Sequence, residues 1–239
     1  MLERIAEAAS PAEEPLVIEI GPGKGALTGP LLRRAGRVIA IEVDPLMVTR
    51  LRERFSHEPR LEIVESDILQ VELAQWGPAV IAGNLPYYIT SPIIESVLSM
   101  GDLLRHAVLL VQKEVAARLT ASPGSRDYGY LSVATQLLSE TKTLFKVPPS
   151  AFQPPPQVDS AVVRLDPRAS GERFGIDDPK AFLKFASHCF RQKRKTLRNN
   201  LIPFYPREAV EALPEAGLRA EQISVERLAG IFRVLTGGA

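Results

Sequence analysis

Glu19-Ile20-Gly21-Pro22-Gly23-Lys24-Gly25-Ala26 places three glycines directly after the apolar run Leu16-Val17-Ile18. Glycines at such a turn let backbone N–H groups come close to a ligand. Two acids end later apolar runs. Glu42 closes Arg37-Val38-Ile39-Ala40-Ile41, and Asp67 follows Leu61-Glu62-Ile63-Val64. A carboxylate at the first position can accept from ribose hydroxyls, and one at the second from an adenine amino group. A fourth run, Ala79–Ala82, leads through Gly83 to Asn84-Leu85-Pro86-Tyr87. The exocyclic amine of adenine is a poor nucleophile because its lone pair is delocalised into the ring. Acceptors holding the amine hydrogens localise that pair, and the Asn84 side-chain oxygen and the Leu85 carbonyl can serve if Pro86 fixes the chain. Tyr87 can stack on an extruded base. As an isolated tetrapeptide, the same residues could be a turn with a buried tyrosine.

Two cofactor classes fit the glycine loop. Gly21-x-Gly23-x-x-Ala26, with Glu42 placed 21 residues after Gly21, matches the dinucleotide fingerprint. The E-x-G-x-G-x-G pattern of S-adenosylmethionine-dependent methyltransferases matches as well, and Asp67 favours it. A plain strand–helix turn is the bland reading.

The elements that must position these residues follow from the hydrophobic pattern. Strands are predicted over 16–20, 37–42, 61–64, 79–82, 106–111 and 158–165. Helices are predicted over 26–34, over 45–55 with Asp44 as N-cap, and over 91–100 with Ser91 as N-cap. Alternating strands and helices imply βαβ units, hence a doubly wound α/β fold with a parallel sheet. Prolines cluster between Pro148 and Pro156, and four helical stretches (179–190, 193–202, 206–213, 224–235) end the chain. The expected division is a sheet domain over 1–167 and a small all-helical domain over 168–239.

Charge sharpens the division. The 239 residues carry a net charge of +1. Residues 1–160 hold 15 Lys+Arg against 19 Asp+Glu, a net −4, and residues 161–239 hold 14 against 9, a net +5. Balanced charge excludes a uniformly basic or acidic protein. A 45% hydrophobic, 24% charged composition excludes wholesale disorder. Phe190–Arg198 holds five cations (Arg191, Lys193, Arg194, Lys195 and Arg198) and no acid. A solvated helix face normally mixes signs, so a phosphate-binding helix is the better reading. The single Cys189 excludes an intrachain disulfide and favours a reducing compartment. No apolar run is long enough to cross a membrane, and the scattered His57, His106 and His188 suggest no metal.

The chain resembles the ribosomal RNA adenine N6-dimethyltransferase family, in particular its small-subunit (16S) rRNA dimethyladenosine transferases. The resemblance rests on Ile18–Thr28, Glu42-Val43-Asp44, Asp67-Ile68-Leu69, Gly83–Tyr87, Val111–Leu119, Tyr128–Val133, Phe152–Ser160 and the basic Phe190–Leu201 segment. It implies a Rossmann-like class I methyltransferase sheet with a helical C-terminal domain. It also implies S-adenosylmethionine as donor and N6,N6-dimethylation of two adjacent adenosines near the 3′ end of small-subunit rRNA. By motif, Gly21, Gly23, Glu42, Asp67, Ile68 and Asn84 contact the cofactor, Asn84 and Tyr87 hold the target base, and Phe152 covers its other face. The basic segment then binds phosphates of rRNA in an assembling subunit, and the enzyme is cytoplasmic and monomeric. Relatives usually carry a Gly-Gln-Asn-Phe-Leu segment ahead of the first helix. The chain begins at Met1-Leu2-Glu3-Arg4-Ile5, which looks like that helix. This departure raises the alternative of an assembly or RNA-binding factor with little turnover. An adenine-N6 DNA methyltransferase and a large-subunit rRNA methyltransferase are disfavoured by the match over the C-terminal region.

Overall fold

The computed structural model describes residues 1–86, 88–168 and 174–237. The chain forms two units, Met1–Ala116 with Glu140–Pro167, and Ala117–Ser139 with Arg168–Ala239. In the first, strands β1 (Glu14–Ile20), β2 (Ala35–Glu42), β3 (Leu61–Glu65), β4 (Ala79–Asn84), β5 (Leu104–Gln112), β6 (Ser139–Val147) and β7 (Ser160–Pro167) form one sheet in the order β3-β2-β1-β4-β5-β7-β6. Strands β1 to β5 are parallel, and β7 runs antiparallel to β5. The near-continuous apolar runs of β1, β2, β4 and β5 reflect burial on both faces. Val17, Val38, Val80 and Val108 share a core with Ile5 and Leu31. These two come from α1 (Leu2–Ala9) and α2 (Thr28–Leu32). The alternate residues Ile18, Ile39, Ile81 and Leu109 are equally buried.

Helix α3 (Pro45–Arg54) starts as the sequence predicts, with the Asp44 carboxylate accepting from Leu46 N at 2.8 Å and Pro45 in the first turn. Two helix predictions are corrected. The helix expected over 26–34 is only the five residues of α2, and Pro30, with no N–H to bond to the Ala26 carbonyl, keeps it from starting earlier. The next helix, α4 (Thr90–Leu98), starts ahead of the expected Ser91 cap, and Thr90 Oγ1 instead donates to the Pro86 carbonyl at 3.0 Å.

The second unit holds α6 (Tyr130–Leu138), α7 (Pro179–Cys189), α8 (Leu197–Leu201), α9 (Arg207–Glu211) and α10 (Val225–Thr236), while α5 (Lys113–Leu119) spans the first boundary. Tyr128, Val133 and Leu137 share its core with Phe182, Phe185, Leu201 and Leu228. The sequence division put residues 117–139 with the sheet. Ala121, Tyr128, Val133 and Leu137 of that stretch instead belong to this helical core.

The helix expected over 193–202 is also corrected. Residues 191–196 form a turn, and α8 starts only at Leu197, with Thr196 as its cap. The buried Asn200 side chain fixes the turn. Its Nδ2 donates to the carbonyls of Cys189 (2.8 Å) and Gln192 (3.2 Å), and its Oδ1 accepts from Gln192 N at 3.2 Å. A continuous helix would stack Arg191 on Lys195 and Arg194 on Arg198 as like charges at i,i+4. The turn avoids this.

Candidate active site

Strand register lines up the chemistry. Ile20 pairs with Ile41 on one side and Gly83 on the other, Glu42 pairs with Glu65, and Asn84 with Leu110. Asp67, Glu42, Gly21 and Asn84 therefore stand in a row at the carboxyl ends of β3, β2, β1 and β4. At about 4.8 Å per strand the row spans roughly 14 Å. It crosses the gap between β1 and β4, where strand order reverses and ligands bind in open α/β sheets. Gly83 permits the closeness of these two strands, since a Cβ there would lie 2.7 Å from the Ile20 carbonyl oxygen.

Gly21 and Gly23 both take positive φ, +64° and +55°. The loop they form is held from below by Glu42, which is buried. Its Oε2 accepts from Gly23 N at 2.9 Å, and its Oε1 from Val43 N and Asp44 N at 3.0 Å each. The expected ribose acceptor is thus also the clasp of the glycine loop, and three of its roughly four lone-pair directions are taken.

Glu19 lies deeper, 1% exposed, with its Oε2 accepting from Thr28 Oγ1 at 2.6 Å. Burial pushes its carboxyl up from 4.5 to about 7, the Thr28 hydroxyl opposes this, and the Glu42 charge adds to it. A carboxyl raised by folding contributes stability that is full below about 4.5 and lost as pH climbs through about 7. At 1.36 kcal/mol per pH unit the loss amounts to about 3 kcal/mol. Glu19→Gln keeps an acceptor for Thr28 and is expected to remove this dependence. Urea unfolding at pH 4.5 and pH 8 checks it: equal pH dependence in both proteins contradicts the assignment.

Asp67, at the far end of the row, accepts from Leu69 N through Oδ1 at 2.9 Å and is otherwise exposed, and Ile68 beside it is buried. At the other end, the exposed Asn84 terminates β4. Leu85 is 1% exposed and donates its N–H to the Leu110 carbonyl at 3.1 Å, which pins the backbone behind Asn84. Among the described residues no donor is bonded to the Leu85 carbonyl or the Asn84 side-chain oxygen. Pro86 continues the segment and accepts from Ile89 N at 3.3 Å. Tyr87 lies outside the described residues.

Gly21, Glu42, Asp67, Ile68, Asn84, Leu85, Pro86 and Phe152 line one cleft of about 520 Å³, a size suited to a small-molecule ligand. Gly23 acts from behind through its N–H. Phe152 is half-buried: it lines the cleft and also packs against the core that holds Ile5 and Val17. Sequence reasoning missed Val43, Leu69, Tyr88, Pro154 and Pro156, which also line the cleft. Val43 and Leu69 could have been found as the apolar neighbours of the two acids.

The basic segment belongs to the helical unit. Arg194 and Lys195 are exposed, and among the described residues neither has an ion-pair partner. Lys193 Nζ donates to the Arg126 carbonyl at 3.0 Å, Arg198 pairs with Glu211 at 2.9 Å, and the Arg191 guanidinium lies 5.5 Å over the Phe204 ring. Among the described residues no helix is long and apolar enough to cross a membrane.

Comparison with known proteins gives a consistent picture. A sequence model described as ribosomal RNA adenine dimethylase matches residues 1–236. The ribosomal RNA small subunit methyltransferase A of Acidobacterium capsulatum is 44% identical over 229 residues, covering 92% of this chain and 81% of that protein. Its counterpart from Koribacter versatilis is 41% identical, covering 98% and 90%. Among solved structures, a dimethyladenosine transferase from Plasmodium falciparum superposes with a TM-score of 0.77 at 27% identity, covering 96% and 93%. The 23S rRNA methyltransferase ErmE gives 0.70 at 31%, covering 98% and 96%.

Proposed function

Because the chain belongs to the ribosomal RNA adenine dimethylase family, we propose that it converts two adjacent adenosines near the 3′ end of small-subunit rRNA to N6,N6-dimethyladenosine. The observation that carries this reading is the placement of Asn84-Leu85-Pro86 at the end of β4, in the same cleft as Glu42 and Asp67. The donor we infer is S-adenosylmethionine, which supplies an electrophilic methyl group when bound. The cleft suits it: Asp67 offers a carboxylate for the adenine amino group, Glu42 the remaining lone pair for the ribose, and Val43, Ile68 and Leu69 apolar walls.

The chain's own residues then act by position. Asn84 Oδ1 and the Leu85 carbonyl accept the two hydrogens of the target amine and turn its lone pair towards the methyl donor. Tyr87 and Phe152 sandwich the base, each stack contributing roughly 1–3 kcal/mol. The nitrogen becomes positive on attack and loses a proton readily, so the rate comes from orientation and fixed dipoles. In the second round the amine has a single hydrogen left, one of the two acceptors holds it, and its loss after attack gives the dimethylated product.

We assign cofactor binding and catalysis to residues 1–167 and RNA binding to 168–239, with 117–139 belonging to the latter by packing. Arg191, Lys193, Arg194, Lys195 and Arg198 contact phosphates, which positions the RNA without reading its sequence. The protein acts as a monomer, in the cytoplasm, on a subunit still being assembled. The likeness to a 23S rRNA methyltransferase makes large-subunit RNA the competing substrate. Incubation with methyl-labelled S-adenosylmethionine separates the two. Label is expected in dimethyladenosine of unmethylated small subunits, and label confined to large-subunit RNA overturns the reading.

A further inference from the structure

Tyr88 stands at the mouth of the cleft, one residue past the Asn84–Tyr87 tetrapeptide, with 84% of its surface exposed. A lone exposed aromatic needs no explanation. Here two further observations accompany it. The turn that carries Tyr88 is tied down, since the Pro86 carbonyl accepts from both Ile89 N (3.3 Å) and Thr90 Oγ1 (3.0 Å). The ring also shares the cleft lining with Phe152, Pro154 and Pro156, which adds further flat apolar surface to the cleft that a base would enter.

The substrate makes a specific demand on that opening. When one adenine is drawn out of its stack into the pocket, its neighbour on the strand loses a stacking partner. In this reaction the neighbour is itself a target and must wait its turn. We propose that the Tyr88 ring is a stacking platform for the nucleotide adjacent to the adenosine in the pocket, holding one member of the pair at the mouth while the other is methylated. This rests on the adenosine-pair substrate proposed above. Tyr88 is a positioning residue: it touches the flanking nucleotide and leaves the methyl-transfer geometry to Asn84 and Leu85.

The test compares wild type, Tyr88→Ala and Tyr88→Phe on unmethylated small subunits. Loss of one base stack should raise KM for the subunit about tenfold in Tyr88→Ala. Its kcat and its Kd for S-adenosylmethionine should stay at wild-type values, and Tyr88→Phe should behave as wild type. A structural role is separated by a second substrate: subunits reconstituted with RNA bearing an abasic nucleotide beside a single target adenosine. Wild type should lose about tenfold in kcat/KM on that substrate relative to one with the base present. Tyr88→Ala should lose nothing, because the stack is already gone. Equal KM values for wild type and Tyr88→Ala, or equal sensitivity of both to the abasic change, overturn the proposal. Wild-type protein inactive on small subunits overturns the functional reading together with this inference. Active wild type with an unaffected Tyr88→Ala overturns the inference alone.

Discussion

Replacing Asn84 by alanine is expected to lower kcat for methyl transfer by about 10²–10³-fold, the usual effect of deleting one preorganised polar group at a reacting centre. The backbone at this position is held independently of the side chain. Asn84 pairs with Leu110 in the β4–β5 ladder, and Leu85 N bonds to the Leu110 carbonyl at 3.1 Å. Since the side chain is exposed, its removal should change unfolding free energy by no more than about 0.5 kcal/mol. Single-turnover label transfer measures the chemical step, and a denaturation curve confirms the fold. A loss below about tenfold would show that the Leu85 carbonyl alone orients the amine, and would remove Asn84 from the mechanism.

A second large effect is expected at Glu42. In Glu42→Gln one oxygen becomes an amide NH2, and neither orientation of that amide suits the site. Turned one way, the NH2 faces the Gly23 N–H, and turned the other, it faces those of Val43 and Asp44. The substitution thus releases one edge of the glycine loop and weakens the ribose acceptor at the same time. An unsatisfied buried donor costs about 1–3 kcal/mol, which should appear as lower stability of the free protein. Affinity for S-adenosylmethionine should fall about 100-fold, with both losses counted. Titration calorimetry and urea unfolding give the two numbers separately. Affinity within about threefold of wild type would mean that the clasp and the cofactor site are independent.

The two acids and the tetrapeptide were legible for a common reason. Each follows a strand of a parallel sheet: β2 and β4 are buried and written in Val, Ile and Ala, while β3, at the sheet edge and only partly buried, still carries Leu61, Ile63 and Val64. Where side-chain chemistry masks the pattern, legibility fails. Helix α6 buries Ser132 and Thr135 among its apolar residues by bonding their hydroxyls to the carbonyls of Arg118 (2.6 Å) and Leu119 (3.0 Å), which interrupts its apolar pattern at two positions. Strand β6 lies at the sheet edge, and its Ser-Glu-Thr-Lys-Thr sequence carries the polarity of an exposed strand. The helix read through Lys193–Lys195 failed because one buried amide, Asn200, stabilises a turn that propensity cannot foresee. At the site, residue types pointed to Glu42 as an acceptor, but only the fold places Gly23, Val43 and Asp44 around its carboxylate. Tyr88 carried no signal of its own beside Tyr87, because position at a cleft mouth is a property of the folded chain.

The helical unit is assembled from two stretches, Ala117–Ser139 and Arg168–Ala239. As a nascent chain leaves the ribosome, the sheet has every strand by Pro167, yet Tyr128, Val133 and Leu137 still lack the partners that Phe182, Phe185 and Leu228 provide. At about 5–20 residues per second, those side chains remain in water for several seconds while α7 to α10 are made. The same arrangement limits dissection. A fragment ending at Pro167 is a sheet carrying a bare apolar helix, so exchanging the C-terminal helices between relatives requires exchanging residues 117–139 with them.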